Sequence, residues 1–219
     1  MKGKLAVVSG FSGAGKGTVI DRLMTEHDGY SLSVSMTTRQ PRPNEIDGVN
    51  YHFVTNETFE ELVKNNGLLE HAGFVDNYYG TPRAFVEENM DAGRNVLLEL
   101  EVQGAMQIRE KFPEAVLIFV TPPTAAELLR RLRGRGTDPE EKIMKRLNRA
   151  LVEVDLIPEY PYLVLNGEVD PCAESLHNII ELGTGDSVSA AAGGEIITDL
   201  AEKKAFAERF KKELTELLA

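Results

Sequence analysis

The stretch GFSGAGKGT at residues 10–18 follows the short apolar run LAVVS at 5–9 and leads into TVIDRLMTEH, a segment of helical period. A strand feeding a glycine-rich turn that opens a helix aims backbone N–H groups and the positive helix end at one point, which makes a phosphate site. Gly10, Gly13 and Gly15 let the backbone wrap closely, Ser12 and Ala14 lie between them, and Lys16 can follow β- and γ-phosphates through transfer. The next residue is Gly17, where the pattern G-x-x-x-x-G-K-[ST] places the hydroxyl that holds magnesium. Thr18 keeps one hydroxyl at the helix start, and the metal of a metal nucleotide needs support from elsewhere in the chain.

Outward from the loop, short apolar runs alternate with longer segments of helical period, the pattern of a parallel sheet covered by helices. Val19, Ile20, Leu23 and Met24 share one helical face. YSLSVS (30–35) reads as the next strand, and 37–54 as a proline-rich loop leading into a strand near 51–54. NETFEELVKNNG (56–67) carries a capping signature and helical period, and GLLEHAGFVDNYYGTPR (67–83) short strands and a turn. PRAFVEENMDAG (82–93) is a helix ended by Gly93, RNVLLELE (94–101) a buried strand, GAMQIREKF (104–112) a helix and EAVLIFV (114–120) another buried strand. A charged segment at 124–155 is helical on both sides of RGRGTDPEE. YLVLN (162–166) reads as the last sheet strand, with a helix in DPCAESLHNIIEL (170–182) behind it. GTGDSVSAAAGG (183–194) has the composition of a flexible linker. In the terminal segment 195–219, Phe206, Phe210, Leu214 and Leu217 recur at spacings of four, four and three, which predicts an amphipathic helix packed on its own domain or on a second copy as a homodimer.

A chain of 219 residues, 42% hydrophobic, can bury a core as one domain with inserted lobes. The net charge of −11 argues against nucleic acid and membrane as partners, since both are bound through basic surfaces. Any phosphate site is then a local basic island. The single cysteine, Cys172, cannot close an intrachain disulfide and reads as a structural thiol. MKGK runs straight into a strand with no apolar signal region, and no apolar run approaches the ~20 residues of a membrane span, so a cytoplasmic location is expected. His27, His52, His71 and His177 show no ligand spacing.

Three further elements suit phosphate chemistry. Glu99 and Glu101 end an apolar strand two residues apart, hence on one face, and magnesium on a nucleotide needs only one or two carboxylates, directly or through water. Arg130, Arg131, Arg133, Arg135, Arg146 and Arg149 form an arginine island in an acidic chain; some are expected to be structural, and others to offer forks to phosphate oxygens from a mobile flap. Arg39 and Arg42 flank a proline-stiffened turn that can hold two cations toward one phosphate.

With these residues in view, the chain resembles the guanylate kinases, which are P-loop nucleoside monophosphate kinases, over about residues 4–182. SVSMTTRQPRPNEIDGVNYHFV, NYYGTP, LELEVQGA, RLRGRGTDPEE and KRL are similar to that family's landmarks in their usual order. The resemblance implies an α/β fold, a P-loop NTPase-type parallel sheet flanked by helices. It implies a guanylate kinase-like domain at 1–182 with a GMP-binding lobe at 34–82 and a helical lid at 125–149. It implies transfer of the γ-phosphoryl of ATP to GMP, and to dGMP, in purine nucleotide metabolism, with Mg2+ as cofactor and ATP and GMP as partners.

Carried over by position, Arg39, Arg42, Tyr51 and Tyr79 would grip the GMP phosphate, and Ser35, Glu70, Thr81 and Glu101 would surround guanine. Residues 10 and 12–18 would cradle ATP phosphates, Arg131 and Asn166 would meet its adenine end, and Lys16, Arg42, Arg135 and Arg146 would contact the transferring group, with Glu99 on the metal through water. Guanine chemistry agrees independently: its N1–H and N2–H donors suit a carboxylate and its O6 a hydroxyl, whereas adenine would turn an acceptor toward that carboxylate. The chain departs from the family in having glutamates where many members have D-x-D, and NGEVD (166–170) where Asn-Asp is usual. The alternatives are a kinase for another nucleoside monophosphate, since GKGT resembles adenylate kinases, and a non-catalytic guanylate kinase-like module that holds phosphopeptides.

Overall fold

The structure is a computed structural model and describes residues 1–43, 45–74, 77–134, 136, 138–182 and 194–219. The expected lid arginine Arg135 and the expected linker, apart from Gly194, lie outside the described residues. Two compact units are formed, 1–7 with 29–115 and 8–28 with 116–219, so that strand β1 (Leu5–Gly10) belongs through Val7 to the first and from Val8 to the second.

In the first unit the strand order is β1-β7-β2, where β2 is Tyr30–Leu32 and β7 is Asn95–Glu99. These two pair in parallel, Tyr30 opposite Asn95 and Leu32 opposite Leu97, and Val96, Leu97 and Leu98 are buried. Parallel strands covered on both faces favour such unbroken apolar runs over alternation. A second sheet, ordered β4-β3-β6-β5, contains β3 (Met36–Thr37), β4 (His52–Phe53), β5 (Leu68–Phe74) and β6 (Asn77–Pro82). β5 and β6 are antiparallel, with an irregular register between Leu68 and His71.

Helix α2 (Asn56–Lys64) is capped by Thr55, whose hydroxyl accepts the Thr58 N–H at 3.2 Å. Helices α3 (Arg83–Asp91) and α4 (Val102–Lys111) complete this unit. Gly93, at φ 83°, ends α3 in the left-handed region where a side chain would be strained.

The second unit orders its strands β10-β9-β8-β1, with β8 (Val116–Thr121) parallel to β9 (Tyr162–Leu165). β9 is not the last strand, because β10 (Glu195–Ile197) pairs antiparallel with it, Glu195 opposite Leu165. Nothing in EII alone marks a strand; an available edge on β9 supplies the partner. Around these strands lie α1 (Lys16–Glu26), α5 (Ala125–Gly134), α6 (Glu140–Glu153), a 3-10 turn (Val154–Glu159), α7 (Val169–Leu182) and α8 (Leu200–Leu218).

Val19, Ile20 and Leu23 of α1 are buried as expected, but Met24 is exposed, since the buried stripe of this helix is narrower than the four-residue face assigned to it. Cys172 is a free, buried thiol, and burial pushes its pKa up to about 12, which agrees with a structural role. Phe206, Phe210 and Leu214 of α8 are buried inside this same unit. The mostly parallel sheet with flanking helices is the α/β class expected from the sequence.

Candidate active site

The phosphate loop belongs to the second unit. β1 delivers a fully buried Phe11, the chain turns through residues 12–15, and α1 starts at Lys16 behind Gly15, its N-cap, at φ 91°. A β-carbon on Gly10 would stand 1.9 Å from the carbonyl oxygen of Val120, so only glycine fits where the loop leaves the sheet. The Ala14 N–H donates to the Phe11 carbonyl at 3.0 Å, which closes the turn. Lys16 Nζ is buried and donates to the Gly10 carbonyl at 2.9 Å and, more weakly, toward Phe11 at 3.4 Å. The ammonium is thus held at the mouth of the loop on neutral acceptors that an anionic oxygen can outcompete.

Two side chains expected at the adenine end converge on the same loop. Arg131 of α5 donates to the carbonyls of Ala14 at 3.1 Å and Asn166 at 2.7 Å, and Asn166 Nδ2 donates to Ala14 at 2.8 Å. Glu127, one turn before Arg131, accepts from its Nε at 2.7 Å and also holds Arg130; these two guanidiniums, Arg130 first, pull its carboxyl down to about 2. Among the described residues, buried Asn166 Oδ1 has no hydrogen-bond partner. Arg146 of α6 donates to the Ser12 hydroxyl and pairs with Asp138 at 3.0 Å. Arg130, Arg133 and Arg149 are paired with Glu127, Glu140 and Glu153, the structural members of the island.

The first unit collects a different set. Glu70 on β5 is buried, accepts the Thr81 hydroxyl of β6 at 2.7 Å, and approaches α4 so closely that a β-carbon on Gly104 would lie 2.6 Å from its Oε2. Burial raises the Glu70 pKa, while the hydrogen bond from Thr81 and the charge of Lys111 pull the other way. The Arg39 guanidinium is bidentate to Glu45, at 2.9 and 3.0 Å, lies over the rings of Tyr51 and Phe53 and hydrogen-bonds Tyr79. The Arg42 N–H donates to the same Glu45 at 2.7 Å, while the Arg42 guanidinium is exposed. Tyr51 and Tyr79 meet edge to face at 5.9 Å, and burial, followed by the neighbouring Tyr79 and Glu99, raises the Tyr51 pKa. Ser35 is half-buried, and its carbonyl accepts the His52 N–H at 2.9 Å.

Glu99 and Glu101 do not share a strand face. β7 stops at Glu99, and Glu101 is the N-cap position of α4, because the chain leaves the sheet after Glu99 and Leu100 is buried between them. Both acids are exposed. Among the described residues, no helix is long and apolar enough to cross a membrane.

The sequence model of the guanylate kinase family matches residues 2–182. The chain belongs to the guanylate kinase family. It is similar to proteins named guanylate kinase from Latilactobacillus sakei, at 50% identity over 82% of this chain and 89% of that one, and from Clostridioides difficile, at 50% over 82% and 87%. The crystal structure of guanylate kinase from Anaplasma phagocytophilum superposes with a TM-score of 0.68 at 32% identity, covering 85% of this chain and 89% of that one.

Within this guanylate kinase, three groups beyond those expected from the sequence emerge from the geometry. Glu45 occupies the fork of Arg39, Gly104 leaves room for the Glu70 carboxylate, and Glu127 aims Arg131. Glu127 stands four residues before Arg131, an ion-pair spacing visible in the sequence. Glu45 and Gly104 carry no such local signal, since their partners are set by the turn of the 37–54 segment and by the packing of α4 on β5.

Proposed function

We propose that this guanylate kinase transfers the γ-phosphoryl group of ATP to GMP, and to dGMP, forming GDP or dGDP. The buried Glu70 carboxylate with its Thr81 hydroxyl carries the reading: it offers acceptors for the N1–H and N2–H of guanine, and adenine would leave it facing an acceptor at a cost of about 1–3 kcal/mol. Arg39, Arg42, Tyr51 and Tyr79 would take the monophosphate, with Glu45 yielding Arg39 to it, and Ser35 and Glu101 would complete the guanine contacts. On the donor side, the unpartnered Asn166 Oδ1 suits the amino group of adenine, and Arg131 holds the loop that would wrap the triphosphate.

The accepting phosphate oxygen is already anionic at neutral pH, so no strong general base is required. Lys16, Arg42, Arg135 and Arg146 would offset charge on the transferring group during in-line displacement. Magnesium, when bound with ATP, neutralises charge on the β- and γ-phosphates. Glu99 fits a water-mediated role, being exposed at the carboxyl end of β7 and, among the described residues, in no ion pair. No cluster of three or more His, Cys, Asp or Glu able to hold a metal occurs among the described residues, which suits an ion carried by the nucleotide. The net charge of −11 supports small nucleotides over nucleic acid or membrane as partners, and the cytoplasm is the proposed location. Phe206, Phe210 and Leu214 of α8 are buried within their own unit, which supports packing of this helix on its own domain, while a homodimer remains the proposed association to be tested by mass in solution.

A coupled assay with ATP and magnesium against GMP, dGMP, AMP and UMP tests the proposal. Turnover of GMP and dGMP far above AMP and UMP is expected, with Lys16→Ala abolishing transfer and keeping GMP binding. Fast AMP turnover without GMP turnover would overturn the acceptor, and GMP binding without any transfer would favour a binding module.

A further inference from the structure

The residues from 194 onward lie outside the part matched by the family model, which ends at 182, yet they are built into the second unit. Beyond the β10 pairing, three α8 side chains reach elements that carry the donor-side groups. The Phe210 ring stacks on Phe11, centroids 5.0 Å apart and planes 20° from parallel. Phe11 is the residue whose carbonyl accepts the Ala14 N–H that closes the phosphate loop, so the residue that closes this turn has its ring held by the tail. Glu213 Oε2 accepts the N–H of Ala125, the first residue of α5, at 2.8 Å. It thereby puts a carboxylate on the positive end of the helix whose Arg131 grips the loop at Ala14. Lys203 Nζ, buried, donates to the carbonyls of Tyr160 at 2.7 Å and Pro161 at 3.2 Å, fixing the start of α8 to the chain that enters β9 and leads to Asn166.

We propose that α8 is a positioning element for the phosphate donor, with Phe210 setting the phosphate loop through Phe11, and Glu213 setting Arg131 through α5. This rests on the ATP reading above. Neither side chain needs to touch the nucleotide. Each fixes a group that does, so its loss loosens donor binding and leaves the acceptor groups of the first unit as they are.

The test uses full-length protein with Glu213→Ala, Glu213→Gln and Phe210→Leu, measuring KM for ATP and for GMP, kcat, and calorimetric affinity for each nucleotide with magnesium. Glu213→Ala and Phe210→Leu are expected to raise KM and Kd for ATP about 3- to 10-fold, as for loss of one net hydrogen bond or contact, with KM for GMP within twofold. Glu213→Gln, whose amide oxygen still accepts the Ala125 N–H, restores most of the ATP affinity. Should Glu213→Ala fold poorly, Phe210→Leu carries the same comparison. A lowered melting temperature with unchanged ATP parameters, or equal rises in both KM values, overturns the proposal and leaves α8 a stabilising helix only. Wild-type protein that binds GMP but no ATP defeats the donor reading itself, an outcome distinct from variants that match a wild type that binds ATP.

Discussion

Glu70 binds more protons folded than unfolded, because burial raises its pKa above the ordinary carboxylate value. Between those two pKa values stability therefore falls as pH rises, so above the ordinary carboxylate range the raised pKa is a cost the fold carries. Glu70→Gln is expected to melt higher than wild type at pH 7.5, with the gap closing on acidification below the ordinary carboxylate range. The same change should raise KM for GMP about ten- to hundredfold, the equivalent of roughly 1.5–3 kcal/mol for hydrogen bonds to a charged acceptor. A wild-type KM would remove Glu70 from the guanine contacts. Gly104→Ala tests the same carboxylate from the other side: a β-carbon 2.6 Å from Oε2 must displace it, so GMP affinity should drop several-fold while ATP affinity holds. For the metal, Glu99→Gln should raise the magnesium concentration needed for half-maximal rate, and unchanged magnesium dependence would show that another group positions the ion.

At the scale of elements, α1 and α7 pack with two histidines face to face. The rings of His27 and His177 lie 3.6 Å apart and 5° from parallel, and His27 Nε2 is 3.1 Å from Glu174. Burial, then the neighbouring His27, lowers the His177 pKa below 6.5, while Glu174 and Glu181 pull it up. A depressed folded pKa means the unfolded chain binds more protons in that window. The stability is complete above pH 6.5 and is lost as pH falls through the folded value. Melting temperature followed from pH 7.5 to 5 should fall less steeply for His177→Gln than for wild type; parallel curves would show that His177 does not contribute to the pH dependence of stability in this range.

Element boundaries also mark where sequence patterns stop. β1, β8 and β9 were legible as apolar runs, because a strand buried on both faces needs nothing else. The end of β7 was not: LELE continues its alternation to Glu101, but α4 starts there, and the packing of α4 on β5 decides where the chain leaves the sheet.

For the whole molecule, the groups proposed for the donor and those proposed for the acceptor belong to separate compact units, and a ligand that binds only the folded state stabilises by mass action. GMP at a hundred times its dissociation constant should add about 2.7 kcal/mol, which for a chain of this size shifts the melting temperature by roughly 5–10 °C. ATP with magnesium should do the same through the phosphate loop. AMP at the same concentration as GMP should shift the melting temperature far less, and an equal shift would contradict selection of guanine.

The sequence by itself determined the α/β class, the phosphate loop and its lysine, and the family to which 2–182 belongs, because these rest on local period and on residues adjacent in the chain. Only the tertiary structure decided that Arg131 and Asn166 meet the phosphate loop at Ala14, that Gly104 makes room for Glu70, and that α8 locks onto Phe11 and α5. Those pairings join residues tens to nearly two hundred positions apart, as with Phe11 and Phe210. Such contacts form because burying an aromatic ring or satisfying a helix end lowers the free energy of the packed chain, and no pattern along the chain records which distant partner will do it.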